Sequence, residues 1–229
     1  MGLSADLRLV RLLQLASPAL PVGAFSYSQG LEAAVESGII RDAANAQGWI
    51  ADVLVFSMAR TEAPGLLRLA EAWRTSDWQG VERWNDVVLA TREAAELRAE
   101  SVQMGYSLRR LLISLAGFDA AGLAHLASMD EPAFPTAFSF VASQWNIAPR
   151  EALLAYLWSW LENQVMAALK AVPLGQTDGQ RILFALGETL PVLVDSALAM
   201  ADDELGSFAP GLALAASRHE TQYSRLFRS

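Results

Sequence analysis

Cysteine is absent from this 229-residue chain, and histidine occurs only twice, as His125 and His219. Without cysteine the chain has no disulfides, zinc-thiolate sites, iron–sulfur clusters or cysteine nucleophiles, and the cytoplasm is the simplest location. A metal site needs several ligands close together, and neither histidine has such companions in the sequence. We therefore expect no resident metal and no cofactor.

Charged residues are also scarce, at 18% against 53% hydrophobic residues. This composition predicts a large core, or surfaces that partners cover. The best membrane-spanning candidate, from Leu190 to Ala201, is interrupted by Asp195 and is shorter than the roughly 20 apolar residues required. The N-terminus, from Met1 to Arg8, lacks the pattern of a secretory leader. The net charge of −8 argues against nucleic acid as a partner. We predict neither membrane insertion nor secretion.

Helical periodicity recurs along the chain and predicts the fold class. A helix is expected from Pro149 until Pro173 stops it, and helix caps are expected at Asp42 and at Ser76, the latter with Gln79 in a capping box. No segment alternates apolar and polar residues as a strand would. The sequence predicts an all-α fold, a single-domain helical bundle of roughly eight to ten helices. The two clearest stripes are Leu154, Leu157, Trp158, Leu161, Val165, Ala168, Leu169 and Val172, and Met104, Leu108, Leu111, Leu112 and Leu115.

Candidate catalytic residues do not form a recognisable constellation. His125, among small residues, is expected to be a surface or capping residue, and His219 to make a structural or partner contact. No serine stands in a nucleophile elbow. The stretch from Pro173 to Gln180 resembles a phosphate loop only superficially, because three residues rather than four separate its glycines. It is predicted to be a turn in which Thr177 or Asp178 caps the next helix.

Two segments combine residue types that favour recognition of another protein. The proline-glycine segment, residues 17–32, has two prolines that restrict the backbone and two aromatic residues, Phe25 and Tyr27. It is equally well explained as a loop that leads into a helix capped by Ser28. The C-terminal tail, residues 218–229, places aromatic and aliphatic residues between arginines, as interface anchors often do. We predict that this tail becomes ordered on a partner.

These two segments resemble the signatures of the UreF family of urease accessory proteins, mainly from Ala16 to Glu32 and from Tyr223 to Ser229. Further resemblance lies in Ser101, Gln103, Met104 and Gly105 and in the stretch from Trp160 to Gln180. The resemblance implies an all-helical protein, with residues 1–217 as the UreF-like domain and 218–229 as a partner-binding tail. It implies a scaffold or chaperone that dimerises, binds the UreD-type subunit (UreD or UreH) and recruits the GTPase UreG, for nickel insertion into urease apoprotein.

Site residues follow from the resemblance together with residue type. Tyr223, Arg225, Leu226 and Phe227 are expected to bind the UreD-type subunit. The surface facing UreG is expected to contain Pro21, Gly23, Phe25, Tyr27, Glu32 and Lys170. In this interpretation the chain is not an enzyme. It positions the GTPase beside the UreD-type subunit and catalyses no reaction itself.

Two alternatives remain open from the sequence. One is a helical enzyme acting on an apolar or diphosphate substrate, which requires acids clustered around a cavity, with Asp202, Asp203 and Glu204 as the only acidic run. The other is a protein that activates the GTPase by inserting an arginine, for which Arg225 or Arg228 would be suitable by residue type.

Overall fold

A computed structural model describes residues 4–229; residues 1–3, at the start of the predicted UreF-like domain, lie outside the described part. Over the described range the chain forms twelve α-helices, two 3₁₀ turns and one π-helical segment, with no strand. The all-α prediction is confirmed. The helices are α1 Ala5–Ala16, α2 Leu31–Glu36, α3 Ala43–Val53, α4 Ala63–Thr75, α5 Trp78–Ala90, α6 Ala95–Ser114, α7 Ala120–Ser128, α8 Phe134–Gln144, α9 Pro149–Ala171, α10 Gln176–Gly187, α11 Leu190–Ala199 and α12 Pro210–His219.

Some neighbouring helices form continuous rods. The π-helical segment Leu54–Glu62 joins α3 to α4 without a break, and only Glu188 and Thr189 separate α10 from α11. When these are counted as single rods, ten rods span the described residues, within the predicted number of eight to ten. The 3₁₀ turns are Ala24–Ser26 and Asp202–Glu204.

Helix α8 lies at the centre of the bundle and packs on α4, α6 and α9. Phe138 and Phe140 are fully buried, and between them Ser139 satisfies its hydroxyl by donating to the Thr136 carbonyl oxygen at 3.0 Å. Small residues on the remaining faces allow the neighbouring helices to approach closely. Burial of the two phenylalanine side chains contributes about 2–3 kcal/mol each to stability.

Helix α9 confirms the boundaries expected from the sequence, since it begins at Pro149 and ends at Ala171, two residues before Pro173. The single buried stripe predicted for it is only partly correct. Leu157, Leu161 and Val165 are buried, whereas Trp158 is 37% exposed. Because α1, α2, α4, α10 and α11 all pack on α9, the helix is buried on several sides.

Two of the predicted helix caps are wrong, and one is confirmed. Asp42 caps α3 by accepting from the Asn45 N–H at 2.9 Å. Ser76 does not cap α5; it has a left-handed φ of 55° and ends α4, while Asp77 caps α5 by accepting from the Gly80 N–H at 3.0 Å. The N-cap of α10 is Gly175 rather than Thr177 or Asp178, although Asp178 contributes to the cap by accepting from the Gly175 N–H at 3.3 Å.

The α10–α11 rod, Gln176–Ala199, is the one segment among the described residues that is long and apolar enough to span a membrane, with a mean hydropathy of 1.6. Only 33% of its apolar window is buried within the protein. It lies against α3, α4, α9 and the π-helical segment on its inner side. The rod therefore has an apolar outer side that residues 4–229 leave exposed.

Candidate partner-binding surface

The C-terminal tail, which we predicted to become ordered on a partner, is instead ordered within this chain. Main-chain hydrogen bonds hold it against the proline-glycine segment. The Arg228 N–H donates to the Ser26 carbonyl oxygen at 2.8 Å, and the Ser229 carbonyl oxygen accepts from the N–H groups of Ser28 at 2.7 Å and Gln29 at 3.1 Å. The Ser28 hydroxyl donates to the same Ser229 oxygen at 2.6 Å. The two segments that the sequence singled out therefore form one continuous surface, although about 200 residues separate them along the chain.

A buried carboxylate, Glu32, fixes the middle of the tail. It accepts from the N–H groups of Leu226 at 2.7 Å and Phe227 at 3.0 Å, and it lies 3.3 Å from His219 Nε2. The other ring nitrogen of His219 lies 2.7 Å from Glu96, whose second oxygen accepts from Arg225 at 2.6 Å. These contacts satisfy polar groups that would be costly to bury unpaired.

A second buried carboxylate, Glu100 on α6, holds the end of the tail. It accepts from the Gln29 side chain at 2.7 Å and from the Ser229 hydroxyl at 2.8 Å. Burial raises the pKa of Glu100 to about 7, although both hydrogen bonds and the charge of Arg92 oppose the shift. The carboxyl group of Glu100 therefore titrates near neutral pH.

Gly30 permits this arrangement because its φ is +77° and an added Cβ would lie 3.0 Å from the Ala216 nitrogen on α12. A larger residue would separate the start of α2 from α12. Ser28 fulfils only part of its predicted role as the cap of α2. Its hydroxyl accepts from the Glu32 N–H at 3.3 Å, but the residue that precedes α2 is Gly30.

The predicted site residues fall into exposed and buried groups. Tyr223 is fully exposed, Leu226 is 70% exposed and Phe25 is 66% exposed. By contrast, Tyr27, Glu32 and Phe227 are buried, and they position the surface from within. Their direct contact with a partner remains a prediction. The other residues predicted for this surface, Pro21, Lys170 and Arg225, are exposed, and Gly23 is half-buried.

Several contacts explain how the buried and exposed residues are connected. The Lys170 ammonium group lies 5.5 Å from the centre of the Phe227 ring, a cation–π distance. Burial raises the pKa of Tyr27, whereas a hydrogen bond from the Arg228 side chain opposes that shift. Of the two arginines considered as catalytic fingers, Arg225 bonds within the chain, to Glu96 at 2.6 Å.

A cavity of about 240 Å³ lies beside this surface, between the proline-glycine segment, α6 and α9. Its wall is mainly apolar, and its polar end contains Glu62, Arg92, Glu100 and Tyr156. Arg92 lies 2.6 Å from Glu62, and the Tyr156 hydroxyl donates to Glu62. Burial and the Glu62 charge both raise the pKa of Tyr156. Glu62 is thus held by a cation and a hydroxyl.

The π-helical segment places Glu62 at this cavity, a feature that the sequence analysis did not predict. The acidic run at 202–204 lies elsewhere, where Asp202 is 3.0 Å from Arg68. Within residues 4–229, no group of three or more His, Asp or Glu side chains is arranged to hold a metal ion. The acidic run named in the enzyme alternative therefore does not line the cavity.

The two histidines are placed differently from one another. His219 is fully buried. This burial agrees with a structural contact, which was one of the two roles predicted for it. His125 is not a surface residue. Its side chain is 15% exposed, and its ring stacks on Trp78 at a centroid distance of 5.1 Å. The sequence suggested a surface position because its neighbours in α7 are small, but the aromatic rings of other helices cover it.

An apolar face of α1 was missed by the sequence analysis. Leu9, Val10 and Leu13 are each more than half exposed and lie on the side of α1 turned away from α9. Their spacing of three and four residues was the available signal. At the end of the same helix, Leu15 and Ala16 form part of the cavity wall, as does Phe25.

Comparison with known proteins agrees with the expectation from the signatures. The profile of the family described as UreF matches residues 40–187. A protein of Azoarcus sp. (strain BH72) named urease accessory protein UreF is 59% identical over 227 residues, covering 97% of this chain and 96% of the relative. Proteins with the same name from Dechloromonas aromatica (strain RCB) and Methylobacillus flagellatus are 55% and 50% identical, covering 97% and 99% of this chain and 98% and 100% of the relatives. The chain therefore belongs to the UreF family of urease accessory proteins.

Proposed function

We propose that this chain is a cytoplasmic scaffold for urease activation. It dimerises, binds the UreD-type subunit through its C-terminal tail, and recruits the GTPase UreG through the neighbouring proline-glycine segment, so that nickel is delivered to urease apoprotein. It makes and breaks no covalent bonds itself. The observation that carries the proposal is the joining of the two segments into one surface with exposed Tyr223, Leu226 and Phe25.

The main-chain clamp gives this surface its shape before a partner arrives. Because Glu32 accepts from main-chain N–H groups of the tail and Glu100 accepts from the Ser229 hydroxyl, binding need not include the full cost of ordering a free segment, which is about 1–2 kcal/mol for each residue. Tyr223 and Leu226 are free to enter a partner's groove, since Phe227 and Ser229 supply the anchoring. Aromatic and cationic side chains at such positions commonly dominate the energy of an interface.

The first experiment tests the tail. Tyr223→Ala and Leu226→Ala, made in the full chain, are expected to abolish co-purification with the UreD-type subunit and to leave helicity and the unfolding midpoint unchanged, because both side chains point into solvent. Ile113→Ala is the matched control, since Ile113 is 53% exposed and lies near the other end of α6 from Glu96. Undiminished co-purification of both tail variants would contradict the proposal.

The second experiment tests the GTPase-facing surface. Phe25→Ala and Lys170→Ala remove exposed groups from it, and both are expected to weaken UreG capture by the complex with the UreD-type subunit. Tyr27→Phe is the companion variant, which retains the buried ring and removes only the hydroxyl group. Unaltered UreG capture by both exposed-site variants would remove support for this part of the proposal.

A further inference from the structure

The cavity beside the candidate surface combines an apolar wall with one polar end. The wall includes Leu97 and Met104, and the polar end contains Glu62, Arg92 and Glu100. Its volume of about 240 Å³ exceeds the roughly 150 Å³ that is enough to hold a benzene molecule. The cavity is therefore large enough to admit one unbranched side chain.

The charges at the polar end do not balance when Glu100 is ionised. The cation at this end, Arg92, is already paired with Glu62 at 2.6 Å. Within the described part of the chain, Glu100 accepts hydrogen bonds from two neutral groups, the Gln29 side chain and the Ser229 hydroxyl. A buried carboxylate that lacks a cation is costly, so the polar end favours a positively charged occupant.

Aromatic side chains also line the cavity. The ring centres of Phe134 and Tyr156 lie 5.8 Å apart, and the Trp160 indole N–H donates to the Gln29 side chain at 2.7 Å. Because aromatic rings attract cations, this lining favours an ammonium group over a carboxylate.

The hydrogen bonds of Glu100 favour an ammonium group over a guanidinium group. Its Oε1 already accepts from Gln29 and its Oε2 from Ser229, which hinders the paired contact that an arginine fork makes with both oxygens. An ammonium group needs only one free lone pair. The methylene groups of a lysine would lie along the apolar wall, as the stems of long charged side chains commonly do.

The opening of the cavity lies on the candidate partner-binding surface. Phe25 is 66% exposed and Met166 is 46% exposed, and both line the cavity. Lys170 lines it too, but its ammonium group lies 5.5 Å from the centre of the Phe227 ring, which is not part of the lining. A side chain of a protein bound to this surface can therefore enter between Phe25 and Met166.

We propose that the cavity binds a lysine side chain of a partner protein, with the ammonium group at Glu100 and the methylene groups along the apolar wall. The inference goes beyond the proposed function by naming a binding site and the residue type that it accepts. It rests on that function only for the partner that supplies the lysine.

The first test measures binding of small probes to the full chain by isothermal titration calorimetry at pH 8. The probe n-pentylamine is expected to bind with a dissociation constant on the order of 1–10 mM, at least about 10-fold more tightly than 1-pentanol or pentanoate. Glu100→Gln should weaken pentylamine binding about 10-fold or more. Glu151→Gln, at an exposed position of α9, removes the same charge and should change binding less than about twofold. Equal binding of the three probes, or undiminished binding by Glu100→Gln, overturns the inference.

The second test varies pH and uses the natural protein, so it does not depend on the folding of a variant. Burial raises the pKa of Glu100 to about 7, so the ionised fraction rises from about 9% at pH 6 to about 91% at pH 8. Pentylamine stays charged over this range, and its affinity should increase about 10-fold. The other groups that face Glu100 are Glu62, Arg92 and the hydroxyls of Tyr27 and Tyr156, and burial raises the pKa of both tyrosines. An affinity that does not change with pH overturns the contact with Glu100.

The third test asks whether a partner supplies the lysine. Pentylamine at about ten times its dissociation constant should weaken capture of the UreD-type subunit or of UreG about 10-fold, whereas pentanol at the same concentration should not. If pentylamine binds and both captures are unchanged, the partner's lysine is not the occupant and the inference is overturned. The first two tests need no partner, so their failure would leave the proposed function standing.

Discussion

Replacement of Gly105 by alanine probes the closest approach between α6 and the segment that leads into α8. A Cβ at this position would lie 2.0 Å from the Pro132 carbonyl oxygen and 2.7 Å from the Ala133 carbonyl carbon. Both atoms are main-chain atoms. They are also fixed, because Asn85 accepts from the Ala133 N–H at 2.8 Å and Ser101 accepts from the Phe134 N–H at 3.3 Å. The new methyl group must therefore displace α6 or break these hydrogen bonds.

The magnitude follows from three contributions. Insertion of one carbon into a tightly packed contact costs about 1–3 kcal/mol, and loss of a buried hydrogen bond costs a further ~1–3 kcal/mol. Alanine restores about 1 kcal/mol through its higher helix propensity. We expect Gly105→Ala to lower the free energy of unfolding by about 3 kcal/mol, which corresponds to a fall of roughly 10 °C in Tm for a chain of this length.

Gly48→Ala is the matched control. Gly48 lies inside α3, and an added Cβ would meet no atom within 4 Å. This substitution should raise the free energy of unfolding by about 0.5–1 kcal/mol, because alanine restricts the unfolded chain. Urea titrations at fixed protein concentration, followed by tryptophan fluorescence and circular dichroism, measure both values. Changes of the same sign in the two variants would refute the packing argument at Gly105.

Two further predictions concern buried polar groups. Because the pKa of Glu100 is about 7 in the folded protein and lower when unfolded, its contribution to stability is fully present below about pH 4.5 and is lost as the pH rises through 7. Stability measured as a function of pH should therefore fall by about 3 kcal/mol more in the natural protein than in Glu100→Gln, and parallel curves would contradict the assignment. Asn85→Ala removes hydrogen bonds to the main chain of Glu131 and Ala133, so unfolding experiments should show a loss of about 2–4 kcal/mol. Asn45→Ala, at an exposed position, should change stability by less than about 0.5 kcal/mol, and equal losses would refute the role of the network.

The sequence contained enough to predict the fold class and the long helices. Pro149 and Pro173 bracket α9 because proline is tolerated at the first turn of a helix and not in its interior. The capping error at Ser76 has an equally local cause. Ser76 and Asp77 are both good capping residues, and only the left-handed turn that ends α4 shows that the second of them is used.

The sequence predicted which two segments contribute to the candidate surface, but not how they are joined. Proline, glycine and aromatic residues marked the proline-glycine segment, and arginines with aromatic residues marked the C-terminal tail. The contact between the two segments depends on Glu32 and Glu100. In the sequence, both look like ordinary carboxylates on amphipathic helices. Buried carboxylates are recognised only when their partners are known, and the partners here are amides and a hydroxyl far away in the chain.

The sequence by itself determined an all-α chain of the UreF family, because helical periodicity, proline positions and signature residues are local properties of the chain. Only the tertiary structure decided which of the predicted contact residues are exposed and which are buried, since burial depends on segments that meet after folding. It also revealed that the described residues leave the apolar outer side of the α10–α11 rod exposed. The sequence of an apolar helix is the same whether its outer side is covered by a neighbouring helix or exposed to solvent. Only the tertiary structure distinguishes the two cases.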